Sequence, residues 1–224
     1  ADIIHVEGKT DPIRDIEIIN VELILADLEI VNNRISKIEK KAQTTKEKDA
    51  VLEYETLKKC ENSLMNNIPL RRVEFNEDEL LLIKNFNFIT LKPIIYAANV
   101  SEDDCIIGEN EYTKLVKEYA KNDDAQVIVM CAKMESELAE LNDDDKKAFM
   151  EDLGLTNSGL DKLIFATYYL LGLQTFFTVG KDECRAWTFK KGMKAPECAG
   201  LIHSDFQRGF IKAEITSFND LEKL

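Results

Sequence analysis

Two stretches decide the fold: Lys92-Pro93-Ile94-Ile95-Tyr96-Ala97-Ala98-Asn99-Val100-Ser101-Glu102 and Gln126-Val127-Ile128-Val129-Met130-Cys131-Ala132-Lys133. Each is an unbroken apolar run of strand length that ends in polar residues, the pattern of a strand buried on both faces. Between them a polar segment, 109–121, has helical spacing. A strand, a helix and a strand in this order form a βαβ unit with parallel pairing. In doubly wound sheets, ligands bind beyond the carboxyl ends of the strands. Asn99-Val100-Ser101-Glu102 and Cys131-Ala132-Lys133 therefore belong to one edge, which is the candidate site.

Upstream, Val21, Ile24, Leu28, Val31, Ile35, Ile38 and Ala42 recur at alternating spacings of three and four, the period of a helical seam. Gln43-Thr44-Thr45-Lys46 interrupts that seam, and Leu57, Cys60 and Leu64 resume it. Two helices joined by so short a turn pack antiparallel. Asn76 is placed to cap a short helix over 77–86. Downstream, 144–153 and 158–171 read as helices, the second capped by Asn157 or Ser158. Segments 175–179, 185–189 and 210–215 are β-like, with Gly180, Lys181, Asp182 and Gly192 as turn residues. They predict a small β-rich unit that is incomplete in this chain.

The chain has 224 residues, a net charge of −13 and 45% hydrophobic residues, enough apolar content to bury a core. That charge excludes wrapping nucleic acid with the whole surface. Residues 175–224 hold eight Lys/Arg against seven Asp/Glu, so the acidity lies upstream. The five cysteines, Cys60, Cys105, Cys131, Cys184 and Cys198, include no C-x-x-C pair. They read as reduced thiols in a cytoplasmic protein. His5 and His203 are the two imidazoles, too few for a zinc site, and no metal site is expected. No apolar run reaches the ~20 residues of a membrane helix, and Ala1-Asp2-Ile3-Ile4-His5 does not read as an export signal.

Taken together, these residues resemble the YchF branch of the Obg-related P-loop NTPases. The run from Lys92 to Glu102 looks like that branch's N-x-x-E version of the base-recognition motif. Cys131-Ala132-Lys133 stands where P-loop GTPases carry a S-A-K-like motif. His5-Val6-Glu7-Gly8, Asp11-Pro12, Asp15-Ile16 and Glu22 to Glu29 look like the family's entry into its helical insertion. Arg185-Ala186-Trp187-Thr188 and His203 to Ala213 resemble its C-terminal TGS module. The resemblance implies an α/β fold: a partial P-loop NTPase with a Rossmann-like parallel sheet, an inserted antiparallel helical coiled-coil hairpin and a partial β-grasp (TGS) domain. The implied division is 1–14 with 76–172 for the nucleotide-binding part, 15–75 for the hairpin and 173–224 for TGS.

The resemblance further implies a purine site made of Asn99, Val100, Glu102, Cys131, Ala132 and Lys133. A GTPase Asp accepts from guanine N1–H and the exocyclic amine, whereas adenine presents an acceptor at N1 and a donor at N6. Glu102 lengthens that reach, and Val100 stands where a Lys stem would lie along the ring. Both changes fit ATP better than GTP. No G-x-x-x-x-G-K-[ST] occurs, so the phosphate loop is expected to be missing and no catalytic residue is assigned in this chain. The intact family member is expected to hydrolyse ATP (or GTP) with Mg²⁺ and to associate with the ribosome. This chain alone is expected to be inactive, with no firm cofactor. The alternative is a non-catalytic module in which the hairpin and TGS segment bind ribosomal RNA or protein. Lys181, Arg185, Lys190, Lys191 and Lys194 around Trp187 are the candidate RNA contacts there, although Trp187 also suits a small core. Neither a membrane nor DNA is an expected partner, and self-association through an exposed sheet edge is. His203 and Asp205 read as structural, and Glu135 and Glu137 as the acidic first turn of a helix.

Overall fold

The computed structural model describes residues 10–45 and 47–223. His5-Val6-Glu7-Gly8, with the rest of 1–9, lies outside the described residues. The chain divides into two compact units, 1–163 and 164–224.

The first unit opens with α1 (Pro12–Thr45) and α2 (Lys48–Met65). Pro12 stands at the first helical position, where its fixed φ and missing N–H cost nothing. The Asp11 carboxylate caps that turn by accepting from the Arg14 N–H at 3.1 Å. Arg34 and Glu53 join the two helices through a fork of 2.6 and 3.1 Å bonds, and Tyr54 donates to Glu39. The seam is buried at Ile24, Val31, Ile35, Ile38 and Ala42 against Leu57, Cys60 and Leu64. Val21, expected in that seam, is instead 40% exposed. The reason is length: α2 has 18 residues to the 34 of α1 and ends before it can cover Val21.

The fully buried Asp27 also lies in this face, beside a partly buried Leu28. Its carboxylate accepts from the N–H groups of Ile89 and Thr90 and from the Thr90 hydroxyl, at 2.9, 2.7 and 2.6 Å. Leu70, Ile83 and Phe88 close the same core. Helix α3 (Glu77–Ile83) therefore packs with the hairpin. As expected, Asn76 caps it, in a reciprocal box with Glu79.

Strands β1 (Ile95–Asn99) and β2 (Gln126–Met130) pair in parallel, with Asn99 opposite Met130. The crossover contains α4 (Glu102–Ile107) and α5 (Glu111–Ala120). Three further helices follow: α6 (Ala132–Ala139), α7 (Asp143–Asp152) and α8 (Gly159–Leu170). Ser158 caps α8, its hydroxyl accepting from the Asp161 N–H. Cys105, Cys131, Met134, Leu138 and Met150 form a second core under these helices.

In the second unit, β3 (Leu173–Val179) and β4 (Cys184–Lys190) form an antiparallel hairpin through the expected turn at 180–183. Helices α9 (Ala195–Ile202), α10 (Ser204–Arg208) and α11 (Phe218–Leu221) follow. The expected strand at 210–215 does not form, and the segment has no regular structure. A strand exists by its ladder. No neighbour among the described residues bonds to this one, and Ile211 and Ile215 stand 91% and 83% exposed.

Candidate functional site

The two parallel strands deliver their polar ends to one place, as the sequence predicts. The Val100 N–H donates to the Met130 carbonyl at 2.9 Å, carrying the ladder one residue past β1. Ser101 then turns the chain into α4, its hydroxyl accepting from the Asp104 N–H. This puts Glu102 at the first position of that helix. After the neighbouring strand, the buried Cys131 follows the last residue of β2 and precedes Ala132, the first residue of α6.

Two bonds tie these loops together. The Ala132 N–H donates to Asn99 Oδ1 at 2.9 Å. Because the partner is a donor, the amide orientation is fixed, with Nδ2 facing away. Lys133 Nζ donates to Glu102 Oε1 at 2.6 Å and lies 3.7 Å from Glu137. The Glu102 bond, reinforced by both carboxylates, raises the Lys133 pKa. The six expected purine residues, Asn99, Val100, Glu102, Cys131, Ala132 and Lys133, are thus brought together. Glu102 and Lys133 are an ion pair.

A cavity of about 820 Å³ opens beside them, lined by all of the six except Ala132. Its other walls are Tyr96 of β1, Asp15 and Ile16 of α1, and Thr113 and Val116 of α5. The purine site read from the motifs did not include these residues. Periodicity does not reveal them, because they come from three elements far apart in sequence.

Behind the cavity, Tyr96 donates from its hydroxyl to Asp123 Oδ2 at 2.8 Å. The buried Asp123 carboxylate also accepts from Arg71 Nε at 2.8 Å and from Arg72 at 2.7 and 2.9 Å. Burial pushes its pKa up, but Arg72, Arg71 and Tyr96 outweigh that and hold it at about 2. Burial and the Asp123 charge together push the Tyr96 pKa well above its ordinary range. Arg71 continues to Asn20 of α1 at 2.8 Å, and Asn20 to the Tyr119 hydroxyl at 3.3 Å. The strand that carries Asn99 is thereby fastened to the root of the helical hairpin. The adjacent Arg71-Arg72 pair beside the apolar Leu70 was the sequence signal for this cluster.

Glu135 spans α6 and α8, its carboxylate accepting from the Gly159 and Leu160 N–H groups at 2.6 and 3.1 Å. It sits in the first turn of α6, as read, and also caps its neighbour. In the second unit, the five expected basic residues are all exposed. Arg185 stacks on the half-buried Trp187 at 4.3 Å, and the Trp187 indole donates to Thr178. The five do not converge. Lys181 lies in the turn before β4, whereas Lys190 ends that strand and Lys191 and Lys194 lie beyond it, about 20 Å away at 3.3 Å per residue. Asp205 donates its N–H to His203 Nδ1, a capping role.

No described helix is long and apolar enough to cross a membrane. Among the described residues, no three His, Cys, Asp or Glu gather where they would hold a metal ion. These residues therefore offer Mg²⁺ no ligand set of their own.

Residues 173–224 match a family model named YchF-GTPase_C, described as a protein of unknown function. The chain is 56% identical over 220 residues to the "Ribosome-binding ATPase YchF" of Bacillus subtilis, covering 98% of this chain and 60% of that protein. It is 45% identical over 218 residues to the protein of that name in Escherichia coli O157:H7, covering 97% and 59%. Among solved structures it resembles the "YchF GTPase" of Schizosaccharomyces pombe at a TM-score of 0.85 and 34% identity, covering 99% of this chain and 60% of that one. The chain thus spans about three-fifths of the length of these relatives.

Proposed function

The chain belongs to the YchF family, and on that premise we propose that it is the base-recognising part of a protein that binds and hydrolyses ATP at the ribosome. The observation that carries the base reading is the Asn99–Ala132 bond, which locks two strand-end loops around a cavity. With Oδ1 engaged, Asn99 Nδ2 is the donor left to meet a purine ring nitrogen. Glu102 gives one oxygen to Lys133 and keeps the other for an exocyclic amine. Adenine N6 asks for one acceptor, whereas guanine needs paired acceptance from its N1–H and exocyclic amine, which a carboxylate with one oxygen held by Lys133 no longer offers, and this favours ATP over GTP. Val100 and Ile16 supply apolar contact.

The hydrolytic step, the Mg²⁺ site and the ribosome contact are proposed for the whole protein. They are supported by the names of the relatives, of which this chain spans about three-fifths. We assign residues 173–224 to a TGS module and 15–75 to the hairpin insertion on the same resemblance. The chain alone is proposed to be inactive, because its sequence holds no phosphate loop. Calorimetry with adenosine, ATP and GTP tests the reading. Adenosine and ATP should bind with similar weak affinity, in about the millimolar range of −4 kcal/mol, and Asn99→Ala should abolish both. Mg²⁺-dependent hydrolysis by this chain, or ATP far tighter than adenosine, would overturn it.

A further inference from the structure

The first turn of α6 carries Ala132 and Lys133, and it is held from two sides. At its start, the Ala132 N–H engages Asn99 Oδ1. Three residues on, after about 4.5 Å of helical rise, Glu135 turns away from the cavity and reaches α8. Its two oxygens accept from the Gly159 and Leu160 N–H groups. The approach is close. A Cβ on the buried Gly159 would stand 2.6 Å from the Cβ of Met130, the last residue of β2, and 2.9 Å from Glu135 Oε1. Glycine lets the two helix starts and the strand end meet at this distance.

Neither helix needs this contact in order to form. Helix α8 has a local cap, in which Ser158 Oγ accepts from the Asp161 N–H and Asp161 Oδ2 accepts from the Ser158 N–H, at 3.0 and 3.2 Å. Helix α6 is seated by the buried Met134 and Leu138. A carboxylate drawn from 24 residues back adds what neither cap supplies, a fixed register between the start of α6 and the start of α8. Its charge also suits the positive end of α8.

We propose that Glu135 is a positioning residue of the purine site, holding the first turn of α6 so that Ala132 keeps Asn99 oriented and Lys133 keeps one oxygen of Glu102. The assignment deepens the base reading and rests on it. If the turn drifts, Asn99 loses the donor that fixes its amide orientation. Glu102 then regains the second oxygen that guanine asks for. Affinity for ATP falls while affinity for GTP does not. Glu135, which lies outside the cavity lining, thus governs the choice between the two purines without touching either.

The test is NMR titration of the 224-residue chain with ATP and with GTP. Glu135→Ala should lower the ratio of ATP to GTP affinity about two- to tenfold, the worth of one hydrogen bond. Gly159→Ala keeps the carboxylate but displaces it, and should lower the ratio in the same direction. Ser158→Ala weakens the start of α8 by an ordinary capping loss and should leave the ratio where it was. Without nucleotide, the Asn99 side-chain amide resonances should shift in Glu135→Ala and stay in place in Ser158→Ala. An unchanged ratio in Glu135→Ala, or a ratio lowered as much by Ser158→Ala, would overturn the assignment. Where Glu135→Ala does not fold, Gly159→Ala decides by the same criterion. ATP binding lost in Asn99→Ala with the ratio intact in Glu135→Ala overturns the positioning role and leaves the base reading standing. ATP binding unchanged by Asn99→Ala, or absent from the unmodified chain, overturns both.

Discussion

Replacing Asp123 with Asn removes the one negative charge that Arg71, Arg72 and Tyr96 share. The carboxyl is held at about 2 against an ordinary 3.8, and that gap converts to about 2.5 kcal/mol of stability. Breaking a buried ion pair by removing one partner costs more, about 3–5 kcal/mol, because uncompensated charge is left behind. Asn keeps an acceptor for one guanidinium, so the loss should fall near the lower end, about 3 kcal/mol. Against a total of about 5–15 kcal/mol, that loss is large.

Urea unfolding followed by far-UV circular dichroism reads it, because unit 1 contains the two longest helices. The pH dependence gives a second check. The folded pKa lies below the unfolded one, so the contribution is complete above the unfolded value and is lost as pH falls through the folded value. The stability gap between the native chain and Asp123→Asn should therefore be constant above pH ~5 and narrow from about 4 towards 2. A loss below about 1 kcal/mol, or a gap that ignores pH in that window, would refute the idea that this charge holds the cluster together.

Asp27→Ala leaves three donors, the two of Thr90 buried, without their acceptor and should cost about 2–4 kcal/mol in thermal unfolding, with Thr90→Val milder. Early amide exchange at Ile89 and Thr90 should accompany it. Gly159→Ala places a Cβ 2.6 Å from the Met130 Cβ and 2.9 Å from Glu135 Oε1, so a loss of about 1–3 kcal/mol is expected from the same melts. A thiol reagent near pH 8 should label the exposed Cys184 promptly. The buried Cys60 thiol, pushed up to about 12, should react after unfolding alone, and labelling mapped by mass spectrometry distinguishes them.

The strands and their site were legible because each strand is a short apolar run whose polar end marks the ligand edge, although the burial on both faces expected of them is not met, every residue of β1 and β2 being half-buried or exposed. Asn76 and Ser158 were legible for a similar reason, since a cap is a local event. Asp27, Asp123 and the Glu102–Lys133 pair were not. Each is a contact across tens of residues, and the isolated residue looks like any surface charge. Asp27 did leave a trace, an acid one position before Leu28 in an apolar stripe. Residues 210–215 show the opposite failure, where the local pattern is β-like and no adjacent strand among the described residues realises it.

Outside its bonds to α2, the long first helix is held by Arg71 at Asn20 and by Thr90 at Asp27, seven residues or about 10 Å apart. Lys41 lies fourteen residues, about 21 Å, beyond the second. That geometry is a cantilever with two mounts and an overhang twice their spacing. A shift of half an ångström at the inner mount, pivoting on the outer, moves the lysine end by about 1 Å. Slack around Asn20, Arg71 and Asp123 is therefore doubled at the tip. The arm is a pointer whose aim is set by the fit of residues next to the purine cavity.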